Sequence, residues 1–140
     1  MSVIKKSITV IVIDDDLDDV DVFSEYLEIK GIKVIGNGHN GKDAVELYHK
    51  LKPDVVFLDV LMPHYDGFYA VTTIRKTDPN VKIIMVTADL TKDTANRLKE
   101  MNITAIIYKP YEFDDVLTSI DRIMQRKTGD ISQSLQKITL

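Results

Sequence analysis

The 140-residue sequence contains no cysteine, which excludes disulfides, thiolate zinc sites and thiol catalysis. No apolar run approaches the roughly 18 residues of a membrane helix, and the stretch 8–13 is too short for the core of a signal peptide. No basic stripe is visible, which argues against direct binding to nucleic acid. We therefore expect a cytoplasmic, single-domain protein that neither inserts into a membrane nor binds nucleic acid.

The negative charge is concentrated in one short segment. The chain has 18 basic and 22 acidic side chains and a formal net charge of -4. Six carboxylates fall within eight positions: Asp14, Asp15, Asp16, Asp18, Asp19 and Asp21. Without these six, 18 basic residues would face 16 acidic ones, so the rest of the chain is nearly neutral. The acidity is therefore a local feature.

Short segments rich in Val and Ile alternate with segments of helical spacing. The predicted strands are 8–13, 33–36, 55–58, 81–86 and 103–108. The predicted helices carry five apolar stripes or segments: Leu17, Val20, Phe23 and Leu27; Val45, Tyr48 and Leu51; residues 68–75; Thr94, Leu98 and Met101; and Phe113, Val116, Leu117, Ile120 and Ile123. Strict alternation predicts an α/β fold, a doubly wound parallel sheet of five strands with helices on both faces.

Charged or hydroxyl side chains follow four of the five predicted strands. The acidic run from Asp14 follows the first strand, and Asp59, Thr87 and Lys109 follow the third, fourth and fifth. The second strand ends in Gly-Asn-Gly and offers no obvious functional side chain. Each of these residues alone is more typical of a helix cap, a turn or a solvated surface. Their shared place at the carboxyl ends of the strands favours a ligand site.

The chemistry of this group points to a cation and a phosphoryl group. Closely packed carboxylates repel one another and require a cation or protons. Mg²⁺ prefers such oxygen ligands and binds phosphate oxygens at the same time. A carboxylate such as Asp59 can form an aspartyl-phosphate, while Lys109 and Thr87 are suited to neutralise or hydrogen-bond phosphoryl oxygens.

Five motifs in order resemble the receiver domains of two-component response regulators. The motifs are Val12-Ile13-Asp14-Asp15-Asp16, Phe57-Leu58-Asp59-Val60-Leu61-Met62-Pro63, Asp66-Gly67, Val86-Thr87-Ala88 and Lys109-Pro110-Tyr111. The resemblance covers about residues 8–126. It implies a flavodoxin-like strand order 2-1-3-4-5, a receiver domain over 1–127 and a C-terminal extension over 128–140.

The resemblance implies a role for each site residue. Asp59 would accept a phosphoryl group from a sensor histidine kinase or a phosphotransfer protein. Mg²⁺ would be held by Asp15 directly, by Asp14 through water, by Asp59 and by the backbone carbonyl of Leu61. Lys109 and Thr87 would bind the phosphoryl oxygens.

The chain would then be a signalling switch that catalyses only its own phosphorylation and dephosphorylation. Asp16 is a less certain member of the acidic group, and Asp18, Asp19 and Asp21 are expected on the solvated face of the first helix. The resemblance links two variable positions, Leu61 and Asp89, to the rate of dephosphorylation. Leu61 is apolar and cannot orient the water that attacks the phosphoryl group, whereas Asp89 could reach one.

Phosphorylation would switch a partner surface on helix four, strand five and helix five. The expected exposed residues of that surface are Lys92, Asn96, Tyr108, Tyr111 and Glu112. Many family members carry Tyr or Phe where this chain has Ile106. Because residues 106 and 108 point to the same side of a strand, Tyr108 either contributes to the partner surface in place of that aromatic or packs as an edge residue.

The segment 128–140 has two interpretations. Asp130 and Gln133 resemble a helix cap, and Ile131, Leu135 and Ile138 follow at helical spacing. A short helix could dock on its own domain or on a second copy, which would give a homodimer. The alternative is a frayed end. No output domain follows in this sequence, so the signal would pass to a downstream protein, or the chain would shuttle phosphoryl groups.

Two other functions are compatible with parts of the pattern. A phosphatase resembling the haloacid dehalogenase family would use Asp14 as nucleophile and Asp16 as acid/base, although Asp18 stands where that family usually has Thr or Val. A binding module could instead keep the fold and work without phosphorylation. The complete set of site residues argues against the binding module.

Overall fold

A computed structural model describes residues 7–125, and the predicted helix in 128–140 lies outside the described residues. Five strands alternate with five helices along the chain. The strands are Thr9–Ile13 (β1), Lys33–Gly38 (β2), Val55–Asp59 (β3), Lys82–Thr87 (β4) and Ala105–Tyr108 (β5). The helices are Leu17–Ile29 (α1), Gly41–Leu51 (α2), Gly67–Thr77 (α3), Lys92–Glu100 (α4) and Phe113–Gln125 (α5).

The strands form one parallel sheet in the order β2-β1-β3-β4-β5, which confirms the predicted flavodoxin-like topology. Strands β1 and β3 are neighbours near the centre, and Ile13 pairs with Leu58. The residues that follow these two partners, Asp14 and Asp59, therefore meet at the carboxyl edge of the sheet. The order of the strands, rather than closeness in sequence, brings these two carboxylates together.

Apolar residues fill both faces of the sheet because the side chains of each strand alternate between them. On one face, Val10, Val12 and Phe57 pack against α1 and α5. On the other face, Ile11 and Leu58 pack against α2, α3 and α4. The prediction of strands buried on both sides is thus confirmed. None of the helices within residues 7–125 is long and apolar enough to cross a membrane.

Three details of the sequence prediction are corrected. Leu17 does not join the apolar stripe of α1 and is 59% exposed, because it is the first residue of the helix, where α1 emerges from the sheet edge. Strand β2 continues to Gly38, two residues past the predicted end. Strand β5 begins only at Ala105, since the preceding Thr104 hydroxyl accepts the backbone N–H of Ile83.

Candidate functional site

The carboxylates of Asp14, Asp15 and Asp59 form the centre of the site. Each offers an oxygen within 4.8 Å of the others. Asp14 and Asp59 are buried, whereas Asp15 is exposed. The Asp14 carboxylate also accepts the backbone N–H of Asp16 at 3.0 Å, which fixes the loop that leads into α1. The predicted acidic group is therefore brought together by the fold.

Lys109 supplies the positive charge of the site. It directly follows β5, and its backbone N–H donates to the carbonyl of Thr87 at 2.8 Å. Its ammonium nitrogen lies 3.0 Å from Asp14 Oδ2 and 3.5 Å from Asp59 Oδ2. Strand β4 lies between β3 and β5, so the long side chain of Lys109 reaches across the end of β4 to meet these carboxylates.

The protonation of Asp59 and Lys109 reflects their burial and their mutual contact. Burial raises the pKa of the Asp59 carboxyl to about 7; the Lys109 ammonium opposes this rise, and the neighbouring Asp14 carboxylate adds to it. Burial alone would lower the pKa of Lys109, but its hydrogen bond to Asp14 and the charges of Asp59, Asp14 and Asp19 raise it to about 12. Lys109 is therefore charged at neutral pH, and one ammonium does not neutralise the acidic group.

The donor set fits a divalent cation such as Mg²⁺. Asp14, Asp15 and Asp59 offer only hard oxygen ligands, and one lysine leaves the three carboxylates with an excess of negative charge when ionised. Leu61 lies two residues after Asp59 with its side chain exposed. Among residues 7–125, no backbone N–H donates to the Leu61 carbonyl, which leaves this oxygen available as a ligand.

Thr87 ends β4, one residue after the Val86 that pairs with Asp59, and is fully buried. Its hydroxyl oxygen accepts the backbone N–H of Asp89 at 3.0 Å. Asp89 in turn accepts from the Thr94 hydroxyl at 2.6 Å and from the Thr91 N–H at 2.9 Å, and these hydrogen bonds lower the pKa of Asp89. Asp89 was expected to be able to reach an attacking water, but its oxygens here organise the start of α4.

The acidic segment at the start of α1 divides into residues with different contacts. Asp16 is the N-cap of α1, and its carboxylate accepts the N–H of Asp19 at 3.1 Å. Asp19 is exposed, as predicted, and its Oδ2 also lies 3.8 Å from the Lys109 ammonium nitrogen. No sequence pattern indicated this contact, because it depends on how far the Lys109 side chain reaches. Asp18 and Asp21 are exposed, as predicted.

The end of β2 contributes to the site through its backbone, a contribution that no side chain in the sequence indicates. The Gly38 carbonyl accepts the N–H of Asp14 at 3.1 Å. The next residue, His39, places Nδ1 3.4 Å from the Asp14 carbonyl oxygen. Because this contact is made by backbone atoms, the residue types at the end of β2 do not indicate it. It follows from the position of β2 next to β1 in the sheet.

Tyr108 and Tyr111 were expected to be exposed, but both are half-buried. Tyr111 packs edge-on against Phe23 in the wall beside Lys109, and its burial raises its pKa to about 12. Tyr108 packs on the same face of the sheet as the buried Ile106, as strand alternation predicts. The other three expected surface residues are exposed: Lys92, Asn96 and Glu112.

A groove of about 240 Å³ lies between α4 and β5. Tyr108 and Ile106 line its β5 side, while Asn96 and Lys99 line its α4 side. Tyr108 pairs in register with Thr87, the residue at the end of β4. The pairing of Thr87 with Tyr108 thus connects the end of β4 to the groove.

The fold and the acidic site define an α/β domain of the kind that the five motifs resemble. The family model of the response regulator receiver domain matches residues 10–121. The chain belongs to this family. It is a receiver domain of two-component systems, a class of signalling switches that bind Mg²⁺ at an acidic site and interact with histidine kinases or phosphotransfer proteins and with downstream targets. Membership favours the receiver hypothesis over the phosphatase one.

Individual relatives agree with this membership. The response regulator protein VraR of Staphylococcus saprophyticus is 33% identical over 116 residues, 82% of this chain and 56% of VraR. Protein CcdB of Bacillus subtilis is 35% identical over 100 residues, 71% of this chain and 83% of CcdB. The crystal structure of the CheX-CheY-BeF3-Mg²⁺ complex from Borrelia burgdorferi is 25% identical with a TM-score of 0.78, covering 85% of this chain and 90% of that chain. The chain spans about half the length of the VraR relatives it matches.

Proposed function

We propose that Asp59 accepts a phosphoryl group from a phosphohistidine of a sensor kinase or phosphotransfer protein, in a reaction that depends on Mg²⁺. The observation that carries the proposal is the position of the buried Asp59 carboxylate. It has an oxygen within 4.8 Å of carboxylate oxygens of Asp14 and Asp15, and its Oδ2 lies 3.5 Å from the Lys109 ammonium nitrogen. Asp14, Asp15, Asp59 and the Leu61 carbonyl would hold the cation.

In the proposed reaction a carboxylate oxygen of Asp59 attacks the phosphorus of the donor. The bond from phosphorus to the imidazole nitrogen breaks, and the departing imidazole keeps the electron pair. When bound, Mg²⁺ neutralises charge on the phosphoryl oxygens and favours the ionised form of Asp59. Lys109 contributes a second positive charge that would bind and orient the phosphoryl oxygens.

The same geometry supports a switch of the partner surface. Thr87 would hydrogen-bond the new phosphoryl group, since its hydroxyl accepts the Asp89 N–H but donates no hydrogen bond within residues 7–125. Thr87 pairs with Tyr108, and its carbonyl accepts the Lys109 N–H. A shift of Thr87 would therefore act directly on β5 and the groove beside α4. Protein partners that prefer the shifted arrangement would bind more tightly, by no more than their difference in affinity.

A similar solved structure indicates which reagents suit a test of this proposal. The Borrelia burgdorferi structure is a complex with BeF3 and Mg²⁺, and a similar site would bind the same pair. The present chain would act as a switch that catalyses only its own phosphorylation and dephosphorylation. A sensor kinase or phosphotransfer protein would supply the phosphoryl group, and a downstream protein would receive the signal.

The decisive experiment is incubation with Mg²⁺ and acetyl phosphate, followed by mass spectrometry of the intact protein. Wild type should gain one phosphoryl mass, and Asp59→Asn should gain none. Asp18→Asn is the matched control, because it removes the same charge from an exposed position and should be phosphorylated like wild type. Absence of an adduct in wild type, together with no binding of beryllofluoride, would refute the proposal.

A further inference from the structure

Lys109 contacts a third carboxylate that lies outside the acidic group. Asp14 and Asp59 belong to the 4.8 Å group of candidate ligands, whereas Asp19 does not. Asp19 stands in the first turn of α1, where 55% of its side chain is exposed, and its Oδ2 lies 3.8 Å from the Lys109 ammonium nitrogen. The ammonium therefore lies between two buried carboxylates and one on the solvent side.

Lys109 and a divalent cation would share two carboxylates, those of Asp14 and Asp59. The ammonium lies 3.0 Å from Asp14 Oδ2 and 3.5 Å from Asp59 Oδ2. Two positive groups held by the same carboxylates repel each other, so cation binding is easier when Lys109 shifts outward. The lysine side chain has a flexible four-carbon stem that permits such a shift. Asp19 lies on the solvent side of the ammonium.

We propose that Asp19 is a positioning residue that holds the Lys109 ammonium when a divalent cation occupies Asp14 and Asp59. This inference rests on the proposed cation site and concerns its regulation by the chain itself. Asp19 thereby lowers the repulsion between Lys109 and the cation. It also keeps the Lys109 ammonium close to Asp59, where it can bind the oxygens of a phosphoryl group.

Neighbouring residues of α1 offer matched controls. The N–H of Asp19 donates to the Asp16 carboxylate, so the helix cap fixes the position of residue 19, and an Asn there keeps this backbone hydrogen bond. Asp18 and Asp21 are exposed on the same helix, and neither forms an ion pair with another residue in the region the structure describes. Replacing Asp18 changes the net charge equally without touching Lys109.

The test is the affinity for Mg²⁺ alone, measured by titration calorimetry without any phosphodonor. Asp19→Asn should bind Mg²⁺ about two- to fivefold more weakly than wild type, the effect expected of one partly exposed ion pair. Asp18→Asn should bind like wild type. Asp19→Glu, which restores the carboxylate, should recover most of the affinity. Far-UV circular dichroism should show that all variants fold.

A double-mutant cycle with Lys109→Met separates this role from a direct attraction between Asp19 and the cation. In the Lys109→Met background, Asp19→Asn should no longer weaken Mg²⁺ binding beyond the effect of Asp18→Asn. Equal losses from Asp19→Asn with and without Lys109, or no loss in either background, would overturn the inference. A wild type that binds Mg²⁺ yet accepts no phosphoryl group would overturn the proposed function alone.

Discussion

Gly67, the first residue of α3, packs directly on the backbone of Asp59. A Cβ atom added at Gly67 would overlap the Asp59 carbonyl oxygen and lie 2.9 Å from the α-carbon of Val60. The N–H of Gly67 donates to the Val60 carbonyl at 2.8 Å, and Asp66 caps the helix that begins here. The loop between β3 and α3 thus returns to the backbone of Asp59, the candidate phosphoryl acceptor, through a residue that has no side chain.

Gly67→Ala should therefore damage both stability and the site. The added methyl group has to push backbone rather than the end of a side chain, so we expect unfolding free energy to fall by about 1–3 kcal/mol. Displacement of Asp59 and of the Leu61 carbonyl should also weaken Mg²⁺ binding. Urea denaturation and Mg²⁺ titration measure the two effects.

Gly31→Ala is the control for Gly67→Ala. Gly31 has φ +86°, with nothing within 4 Å of an added Cβ, so the substitution should cost about 1–2 kcal/mol through backbone strain alone. It should leave Mg²⁺ affinity unchanged. If Gly67→Ala bound Mg²⁺ as tightly as Gly31→Ala, the contact with Asp59 would have no functional consequence.

A second prediction concerns the opposite edge of the sheet. The Asp54 Oδ2 atom accepts the backbone N–H of Thr9 at 2.9 Å and its hydroxyl at 3.2 Å, while the Asp54 N–H donates to the Thr9 carbonyl at 2.9 Å. Asp54→Ala should lower the unfolding free energy by about 1–2 kcal/mol, because it leaves partly buried donors unpaired. Phosphorylation by acetyl phosphate should proceed at the wild-type rate when the protein is folded. A slower reaction would mean that this edge is coupled to the site.

The topology and the acidic site follow from regular patterns in the sequence. Apolar strands alternate with amphipathic helices, and parallel strands end at a common edge, so Asp14, Asp59, Thr87 and Lys109 could be placed there before any coordinates. The contact of Asp19 with Lys109 could not, because it depends on how a long side chain crosses β4. Side-chain reach has no periodic signature in a sequence.

Exposure near the site was predicted less well for the same reason. Tyr111 is half-buried because Phe23 of α1 packs against it, and Tyr108 because it packs against the apolar cluster on one face of the sheet; residues of that kind are distant in sequence. Leu17 shows the converse, since a residue in phase with an apolar stripe is exposed when its helix starts beyond the packed part of the sheet. Helical phase predicts which face is buried but not where the packing ends.

The raised pKa of Asp59 predicts a pH-dependent cost to stability in metal-free protein. The folded chain keeps the Asp59 proton up to about pH 7, while the unfolded chain releases it near the ordinary value of 3.8. Between these values the folded state binds more protons, so rising pH favours unfolding through this group. The stability advantage of Asp59→Asn over wild type should therefore grow, by something on the order of 2 kcal/mol, between about pH 4 and about pH 8.

Denaturation in EDTA at the two pH values measures this difference. Comparison with Asp59→Asn cancels the contributions of other carboxyl groups, such as Asp89, whose lowered pKa acts in the opposite direction. Saturating Mg²⁺ should reduce the advantage of Asp59→Asn by stabilising the ionised wild type. An advantage that stayed constant with pH would show that Asp59 ionises normally in the folded protein.

Tyr108 should report phosphorylation at the groove between α4 and β5. Because it pairs with Thr87 and lines the groove beside Ile106, a shift of Thr87 towards a phosphoryl group should change its surroundings. In protein labelled with 3-fluorotyrosine, the ¹⁹F resonance that Tyr108→Phe removes should move when Mg²⁺ and beryllofluoride are added. The resonance of Tyr48, whose hydroxyl donates to Asp78 beyond the far end of α3, should stay in place. A Tyr108 resonance that remained fixed while beryllofluoride bound would assign this tyrosine to edge packing and remove it from the switch.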